Sequence, residues 1–239
     1  TPFEVSINEG EGNKGGEIID TLFSLQAVTS SQFSIEAFNS ETYGDVIFKY
    51  YHDSVLKYQG VIDAFETNQE LLPNGTTALN LSAESGIKNL GKVYLKNSDD
   101  TAISGKVRTI EVIAKALRLL NAQNTANIVS IVNTSVYEGS TQVNADKDLF
   151  ENITNIETFQ NDNGEILTAY EAIKRCLGGI YTLKYFENQW YIEHIEAYTQ
   201  ASYYKTVYDY SGTRISRTSV TRTLKNIFEG DILRGGTEG

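Results

Sequence analysis

The residue types that most often catalyse reactions or bind metals are scarce in this sequence. It contains two histidines, His52 and His194, and one cysteine, Cys176. These side chains cannot supply the ligand set of an ordinary structural zinc site, and no nucleophile elbow, HExxH helix or CxxC pair is present. A carboxylate pair for glycoside hydrolysis stays open, because its two members can lie far apart in the chain. The sequence predicts a protein that is not an enzyme and has no metal or cofactor.

Acidic side chains are concentrated in the first part of the chain. The net charge is −11 at pH 7, and residues 1–100 hold 15 acidic and 6 basic side chains. The loop EGEGNKGGE contains Glu9, Glu11 and Glu17, which would repel a phosphate despite the neighbouring glycines. Because nucleic-acid binding depends on Lys and Arg displacing counterions, we expect no sequence-specific binding of nucleic acid. The alternative is that the excess acid only keeps the protein in solution.

Two aromatic residues and a histidine in one alternating run are candidate interaction residues. Trp190 and His194 fall on one face of the predicted strand, and Tyr191 falls on the other. An exposed tyrosine or tryptophan ring offers a stacking platform to a ligand, whereas aromatic residues in strands more often belong to a core. The histidine is open to two interpretations, a ligand or base and an ordinary half-exposed strand residue.

Alternating apolar and polar residues predict strands through much of the chain. The runs DVIFKYY and SVLKYQGVID flank His52, Asp53 and Ser54, which favours a hairpin. Gly60 in the second run indicates a bulge or a close backbone approach. In the later basic run SGTRISRTSVTRTLK, strict alternation would place Arg214 and Arg217 on opposite faces, as on a solvated or interface-bound edge strand.

Two segments have the apolar periodicity of short amphipathic helices. The first spans residues 105–121, with apolar residues three and four positions apart. The second begins at a capping box, Thr168 to Glu171, and ends at two glycines. Cys176 lies on its apolar side, where a buried small hydrophobe and a reactive thiol are the two interpretations. The strands IYTLKYF and WYIEHIEAY follow this helix as a second predicted hairpin.

These elements predict a β-rich α+β protein with two short amphipathic helices. Residues 1–100 form an acidic, β-rich part. Residues 101–200 form an α+β part, with a helix over 105–121 and a helix-hairpin over 168–198. Residues 201–239 form a strand segment that we expect to lead into further chain. No apolar run is long enough to predict a membrane span.

Three stretches resemble the baseplate hub, or tail-associated (tail tip), proteins of tailed bacteriophages. They are VIFKYYHDSVLKYQGVID, TTALNLSAESGIKNLG and, above all, the helix-hairpin AYEAIKRCLGGIYTLKYFENQWYIEHIEAY. Its order of helix, small-residue stop, strand, polar turn and Trp-Tyr-Ile strand is similar to that of the family. The family often has glycine in the turn where this chain has Gln189.

The resemblance implies tail-tube-like antiparallel β-barrel or sandwich domains and a structural role without catalytic residues. It implies a homotrimeric ring of the virion tail, made in the host cytoplasm, that joins the tail tube to spike or fibre proteins and lets DNA pass during ejection. Glu9, Glu11 and Glu17 would then be acids of the lumen, which would not hold DNA. The alternative function is a carbohydrate- or receptor-binding β-domain of a tail fibre or surface protein. A hydrolase attached to the tail tip is a third hypothesis.

Overall fold

The computed structural model describes residues 3–7, 17–29, 46–62, 67–73, 76–97, 101, 103, 105–120, 122–133, 137–138, 141–142, 148–155, 159–161, 163–194 and 202–221. These residues form a β-rich α+β fold, which confirms the predicted class. The strands are β1 (Phe3–Ile7), β2 (Ile18–Ile19), β3 (Thr21–Thr29), β4 (Ile47–His52), β5 (Val55–Ile62), β6 (Asn68–Leu71), β7 (Thr77–Glu84), β8 (Lys106–Arg108), β9 (Asn127–Asn133), β10 (Tyr137–Glu138), β11 (Thr141–Gln142), β12 (Ile153–Asn155), β13 (Tyr181–Phe186), β14 (Gln189–His194), β15 (Ser202–Tyr208) and β16 (Arg214–Thr221). The helices are α1 (Thr109–Leu117) and α2 (Ala169–Leu177), with short 3-10 helices at Ile87–Lys92 and Leu149–Glu151.

The first large sheet is antiparallel, with strand order β1-β3-β7-β5-β4 and β6 also paired with β7. Its β4–β5 hairpin confirms the prediction from the two alternating runs. Asp53 and Ser54 form the turn, and both have the positive φ angles that a two-residue hairpin turn of this type requires. A Cβ atom on Gly60 would lie 2.6 Å from the Glu84 carbonyl oxygen, so the predicted close backbone approach is present.

The second large sheet is mixed, with strand order β16-β15-β9-β14-β13-β2. β13 and β14 form the predicted antiparallel hairpin, but β14 pairs parallel with β9, and β13 pairs parallel with β2. Parallel partners are joined by long connections, which local alternation cannot reveal. Within the described residues neither large sheet closes into a barrel.

The two amphipathic helices are present, but α1 is shorter than the predicted span of 105–121. Lys106–Arg108 forms a strand instead, because its backbone pairs with that of β12. The Arg108 backbone N–H donates to Glu111 Oε2 at 2.9 Å, which fixes the helix start after that strand. The prediction was therefore wrong about both ends of this helix, since residues 118–120 form a turn.

Helix α2 begins and ends where its local signals predict. The Glu171 backbone N–H donates to Thr168 Oγ1 at 3.3 Å, and the Thr168 backbone N–H donates to Glu171 Oε2 at 3.0 Å. Gly178 ends the helix in the left-handed region. Glu187 and Asn188 make a two-residue turn into β14, and predicted hairpin residues 195–198 lie outside the described part.

One hydrophobic core joins both sheets and both helices. It contains Phe23 of β3, Ile113 of α1, Trp190 of β14 and Tyr208 of β15 among its fully buried side chains. Each of the three predicted parts of the chain contributes to it, and the boundaries near residues 100 and 200 stay a prediction. Among the described helices, none has the length and apolarity needed to cross a membrane.

Candidate interaction sites

The tips of the two hairpins enclose a cleft of about 310 Å³, here named the hairpin cleft. Its lining residues come from both large sheets: Thr21, Tyr50, His52, Lys57, Tyr58, Phe186 and Glu187. The Tyr185 hydroxyl donates to Asn188 Oδ1 at 2.7 Å, which braces the β13–β14 turn beside the cleft. The cleft is therefore bordered by residues of both hairpins.

The floor of the hairpin cleft has its polar groups engaged within the protein. The buried Tyr58 hydroxyl lies 2.8 Å from the Ala83 carbonyl oxygen and 3.1 Å from that of Thr21. Thr21 Oγ1 donates to the Tyr185 carbonyl oxygen at 2.6 Å. Burial raises the pKa of Tyr185, although the backbone of Gln59 opposes this shift. These contacts fix the buried base of the cleft.

The rim of the hairpin cleft is charged and open to solvent. Lys57 Nζ lies 3.4 Å from Glu187 Oε1, and this ion pair joins one hairpin to the other. The His52 side chain is 62% exposed and lies 3.4 Å from the Asp53 carboxylate. Phe186 is 41% exposed, which leaves much of its ring in contact with water. The cleft therefore combines aromatic surface with hydrogen-bonding groups of both charge signs.

A second cleft of similar size, about 310 Å³, lies between β5, the 3-10 helix Ile87–Lys92 and the residues that follow α1. We call the lining of this cleft, together with Ile47, the outer apolar surface. Its lining residues are Val61, Ser85, Gly86, Asn89, Leu90, Lys92, Val93, Leu119, Leu120 and Gln123. Ile47 pairs across the strands with Val61, which places both side chains on the same face.

Gln123 in the outer apolar surface has one buried oxygen without a partner in the described residues. Its Nε2 donates to the Gln59 carbonyl oxygen at 2.7 Å, which fixes the orientation of the amide. Its Oε1 is buried and accepts no hydrogen bond there. A buried acceptor without a donor costs about 1–3 kcal/mol. Water or a partner group that supplies a donor would remove this cost.

The structure places the predicted interaction residues of β14 in different environments. The Trp190 side chain is 0% exposed and packs with its ring centroid 4.9 Å from that of Tyr185. It therefore has no face to offer to a ligand, because the strand turns it into the core. Tyr191 is half-buried on the opposite face, and burial raises its pKa, as do the carboxylates of Glu187 and Glu193.

His194 is half-buried and contacts an aromatic residue. Its ring packs edge-on against Tyr181, with the centroids 5.2 Å apart. Of the predicted lumen acids, Glu17 is half-buried, and its backbone oxygen accepts from the Leu183 N–H at 3.0 Å. Glu9 and Glu11 lie outside the described residues. The interaction and lumen roles of these residues stay predictions.

The face assignment for the basic strand β16 was wrong. A β-bulge shifts the register beside Tyr208, so Arg214 pairs with Tyr208 while Arg217 pairs with Thr206. Because Tyr208 and Thr206 share a face, the bulge brings both arginines to that face. Arg214 Nη1 lies 3.2 Å from Glu151 Oε2. The prediction from strict alternation failed because the bulge adds one residue to the strand.

Sequence reasoning missed a buried ionic network beneath this strand. Arg217 Nη1 lies 3.1 Å from Asp148 Oδ2, and the two side chains are 7% and 0% exposed. Asp148 also accepts from the Phe150 backbone N–H at 2.9 Å. The spacing of Asp148 and Glu151 is that of a capping box, which is the signal that could have found this site. Burial and the Asp148 carboxylate raise the pKa of nearby Tyr181.

The described residues contain no group of three or more histidine, cysteine, aspartate or glutamate side chains arranged to hold a metal ion. Cys176 is half-buried, and burial raises the pKa of its thiol to about 12. That environment suits a packing residue, since a reactive cysteine requires a stabilised thiolate.

Comparisons with known proteins give one distant similarity. No family model matches the chain, and no curated protein matches it. A solved structure that is similar is that of the 43 kDa tail protein of prophage MuSo2 from Shewanella oneidensis, with a TM-score of 0.37 and 13% sequence identity. The similarity covers 75% of this chain and 48% of that chain, so the chain spans about half the length of that tail protein. A similarity this distant leaves the function to be inferred from the residues of the chain.

Proposed function

We propose that this chain is a structural subunit of a bacteriophage tail tip or baseplate hub. In this role, copies of the chain form a trimeric ring that connects the tail tube to spike or fibre proteins and lets DNA pass. The sequence resemblance supports this role, and its strongest stretch folds as the helix and hairpin that the resemblance implies. The acidic loop with Glu9, Glu11 and Glu17 would face the channel.

The observation that carries the assembly role is the outer apolar surface. Ile47, Val93 and Leu119 are partly exposed, with values of 40%, 39% and 39%. Val93 and Leu119 line the second cleft, and Ile47 of the edge strand β4 pairs with Val61, which also lines it. Exposed apolar side chains gathered beside an edge strand favour contact with another chain. A cyclic ring needs a contact of this kind on every subunit.

Native mass spectrometry over a concentration series tests this proposal. We expect a trimer for the unmodified chain and a monomer for the double variant Ile47→Lys with Leu119→Lys, because the contact would then have to bury two charges. The control is Ile153→Lys, since Ile153 is 70% exposed on a different strand. A monomer of the unmodified chain at every concentration, or a trimer of the double variant, would overturn the proposed contact.

The lumen part of the proposal has a separate test. A cryo-EM reconstruction of the ring should place Glu17 and the acidic loop on the channel wall. Their location on the outer rim would remove the lumen role and leave the ring itself intact. The alternative function is a carbohydrate- or receptor-binding domain. Trp190 is buried and cannot serve as its stacking platform, so the hairpin cleft is the site that would support this function.

A further inference from the structure

We propose that the hairpin cleft binds one or two pyranose units of an uncharged saccharide. This site goes beyond the structural role, and it stands whether or not the chain forms a trimer. It differs from the predicted platform on Trp190, because its aromatic surface comes from both hairpins. Tyr50 and Tyr58 line it from the first sheet, and Phe186 lines it from the second.

The surface chemistry of the cleft matches the two sides of a sugar ring. A pyranose has a flat patch of C–H groups, which packs against aromatic faces, and a rim of hydroxyls that donate and accept hydrogen bonds. Phe186 supplies an exposed face, and the half-buried Tyr50 lines the cleft from the other hairpin. The Tyr58 ring is 3% exposed and stacks on Phe23, and its hydroxyl is engaged with backbone oxygens, so it fixes the base of the cleft and leaves Phe186 and Tyr50 as the accessible aromatic surface.

The charges at the rim favour a neutral ligand. Lys57 and Glu187 carry opposite charges 3.4 Å apart, so the rim adds no net charge from this pair. A phosphate or a carboxylate ligand would meet Glu187 and an overall chain charge of −11. Hydroxyl groups can instead accept from the ammonium group and donate to the carboxylate. The two side chains are 36% and 51% exposed, which leaves them accessible to such a ligand.

The size of the cleft limits the ligand to a small unit. The cleft has a volume of about 310 Å³. This value lies at the lower end of the range found for small-molecule sites, which begins at roughly 300 Å³. A longer polysaccharide would therefore place only one or two rings between the hairpins. The remaining rings would extend into solvent.

Saturation-transfer NMR tests this site on the full chain, with the methyl pyranosides of glucose, galactose, mannose and N-acetylglucosamine as probes. We expect transfer from the unmodified protein to the C–H protons of at least one probe. Phe186→Ala should abolish this signal, and Glu187→Gln should weaken it several-fold by replacing a charged acceptor with a neutral one. The control is Tyr210→Ala, which removes an aromatic residue that is 47% exposed at another turn.

Each result has one meaning. No transfer to any of the four probes overturns the proposal, and so does a Phe186→Ala variant that binds as the unmodified chain does. Loss of binding in both Phe186→Ala and Tyr210→Ala would also overturn it, because the effect would then not belong to the cleft. Native mass spectrometry of Phe186→Ala keeps the two proposals apart, since its oligomeric state should equal that of the unmodified chain.

Discussion

Replacing Arg217 by alanine tests whether the buried ionic network anchors strand β16 to the core. The Arg217 guanidinium pairs with Asp148 and donates to Thr206 Oγ1 at 2.7 Å. Its central carbon lies 4.4 Å from the centre of the Tyr204 ring, a cation–π contact. Because Asp148 is 0% exposed, loss of the guanidinium leaves its carboxylate without an opposite charge in a buried position.

The magnitude follows from the charge that the substitution leaves behind. In the variant, the Asp148 carboxylate still accepts from the Phe150 N–H and from Ser130 Oγ at 3.3 Å, but it has lost its opposite charge. Removing one member of a buried pair costs about 3–5 kcal/mol. We expect the free energy of unfolding to fall by that amount, a large share of the roughly 5–15 kcal/mol typical of a folded protein.

Urea unfolding followed by tryptophan fluorescence measures this change. Trp190 is the sole tryptophan of the chain and is fully buried, so its emission reports the loss of the core. The matched control is Arg214→Ala on the same strand, whose pair with Glu151 is 39% and 15% exposed. That partly solvated pair should be worth about 1 kcal/mol or less.

A third variant separates the buried charge from the lost contacts. Asp148→Asn combined with Arg217→Met removes both charges while keeping an acceptor for the Phe150 N–H and an apolar stem over Tyr204. It should be more stable than Arg217→Ala, because no uncompensated charge stays buried. If Arg217→Ala loses no more stability than Arg214→Ala, or if the double variant is no more stable than Arg217→Ala, the explanation by buried charge is refuted.

Two further predictions concern helix α2. Thr168→Ala should lower the free energy of unfolding by about 1 kcal/mol through loss of the helix cap. Hydrogen bonds from the Thr168 side chain and backbone lower the pKa of Glu171 below its usual 4.5. The ionised carboxylate therefore stabilises the fold above that usual pKa, and this contribution disappears as pH falls through the lowered value. Urea titrations at several pH values should show that the difference in the free energy of unfolding between the unmodified chain and Thr168→Ala becomes smaller in acid. A difference that does not change with pH would contradict the ionic contribution of Glu171. For Cys176, the pKa near 12 against an ordinary 9.0 leaves roughly a thousandfold less thiolate at mildly alkaline pH. Labelling by a thiol reagent should be far slower in the native chain than in urea, and equal rates would show that the thiol is accessible and ionised.

The local elements of the fold were predictable where one short segment held all the signals. Helix α2 has its capping box, apolar side and terminal glycines within a dozen residues. Helix α1 has the same periodicity, but its first predicted turn is a strand, because β12 pairs with Lys106–Arg108. Pairing between distant segments outweighed the local pattern there.

The candidate sites were less predictable, since their residues meet only in the folded chain. Lys57 and Glu187 lie 130 positions apart, and nothing near either one indicates the other. The two arginines of β16 required knowledge of a bulge, which alternation in the sequence does not show. Trp190 was predicted to be an interaction residue from its residue type alone. Its burial depends on which face of β14 packs on the helices and the first sheet.

The β4–β5 hairpin contributes residues to both the outer apolar surface and the hairpin cleft. Side chains alternate along β4, so Ile47 joins the outer apolar surface while Tyr50 lines the hairpin cleft. A neighbouring subunit bound on the outer face would leave the inner face open to a ligand. Ile47 and Phe186 therefore perturb the two surfaces separately: a charge at Ile47 should affect assembly, and loss of the Phe186 ring should affect saccharide binding. A change in both properties from either substitution would mean that the hairpin moves as a unit and that the two surfaces are coupled through it.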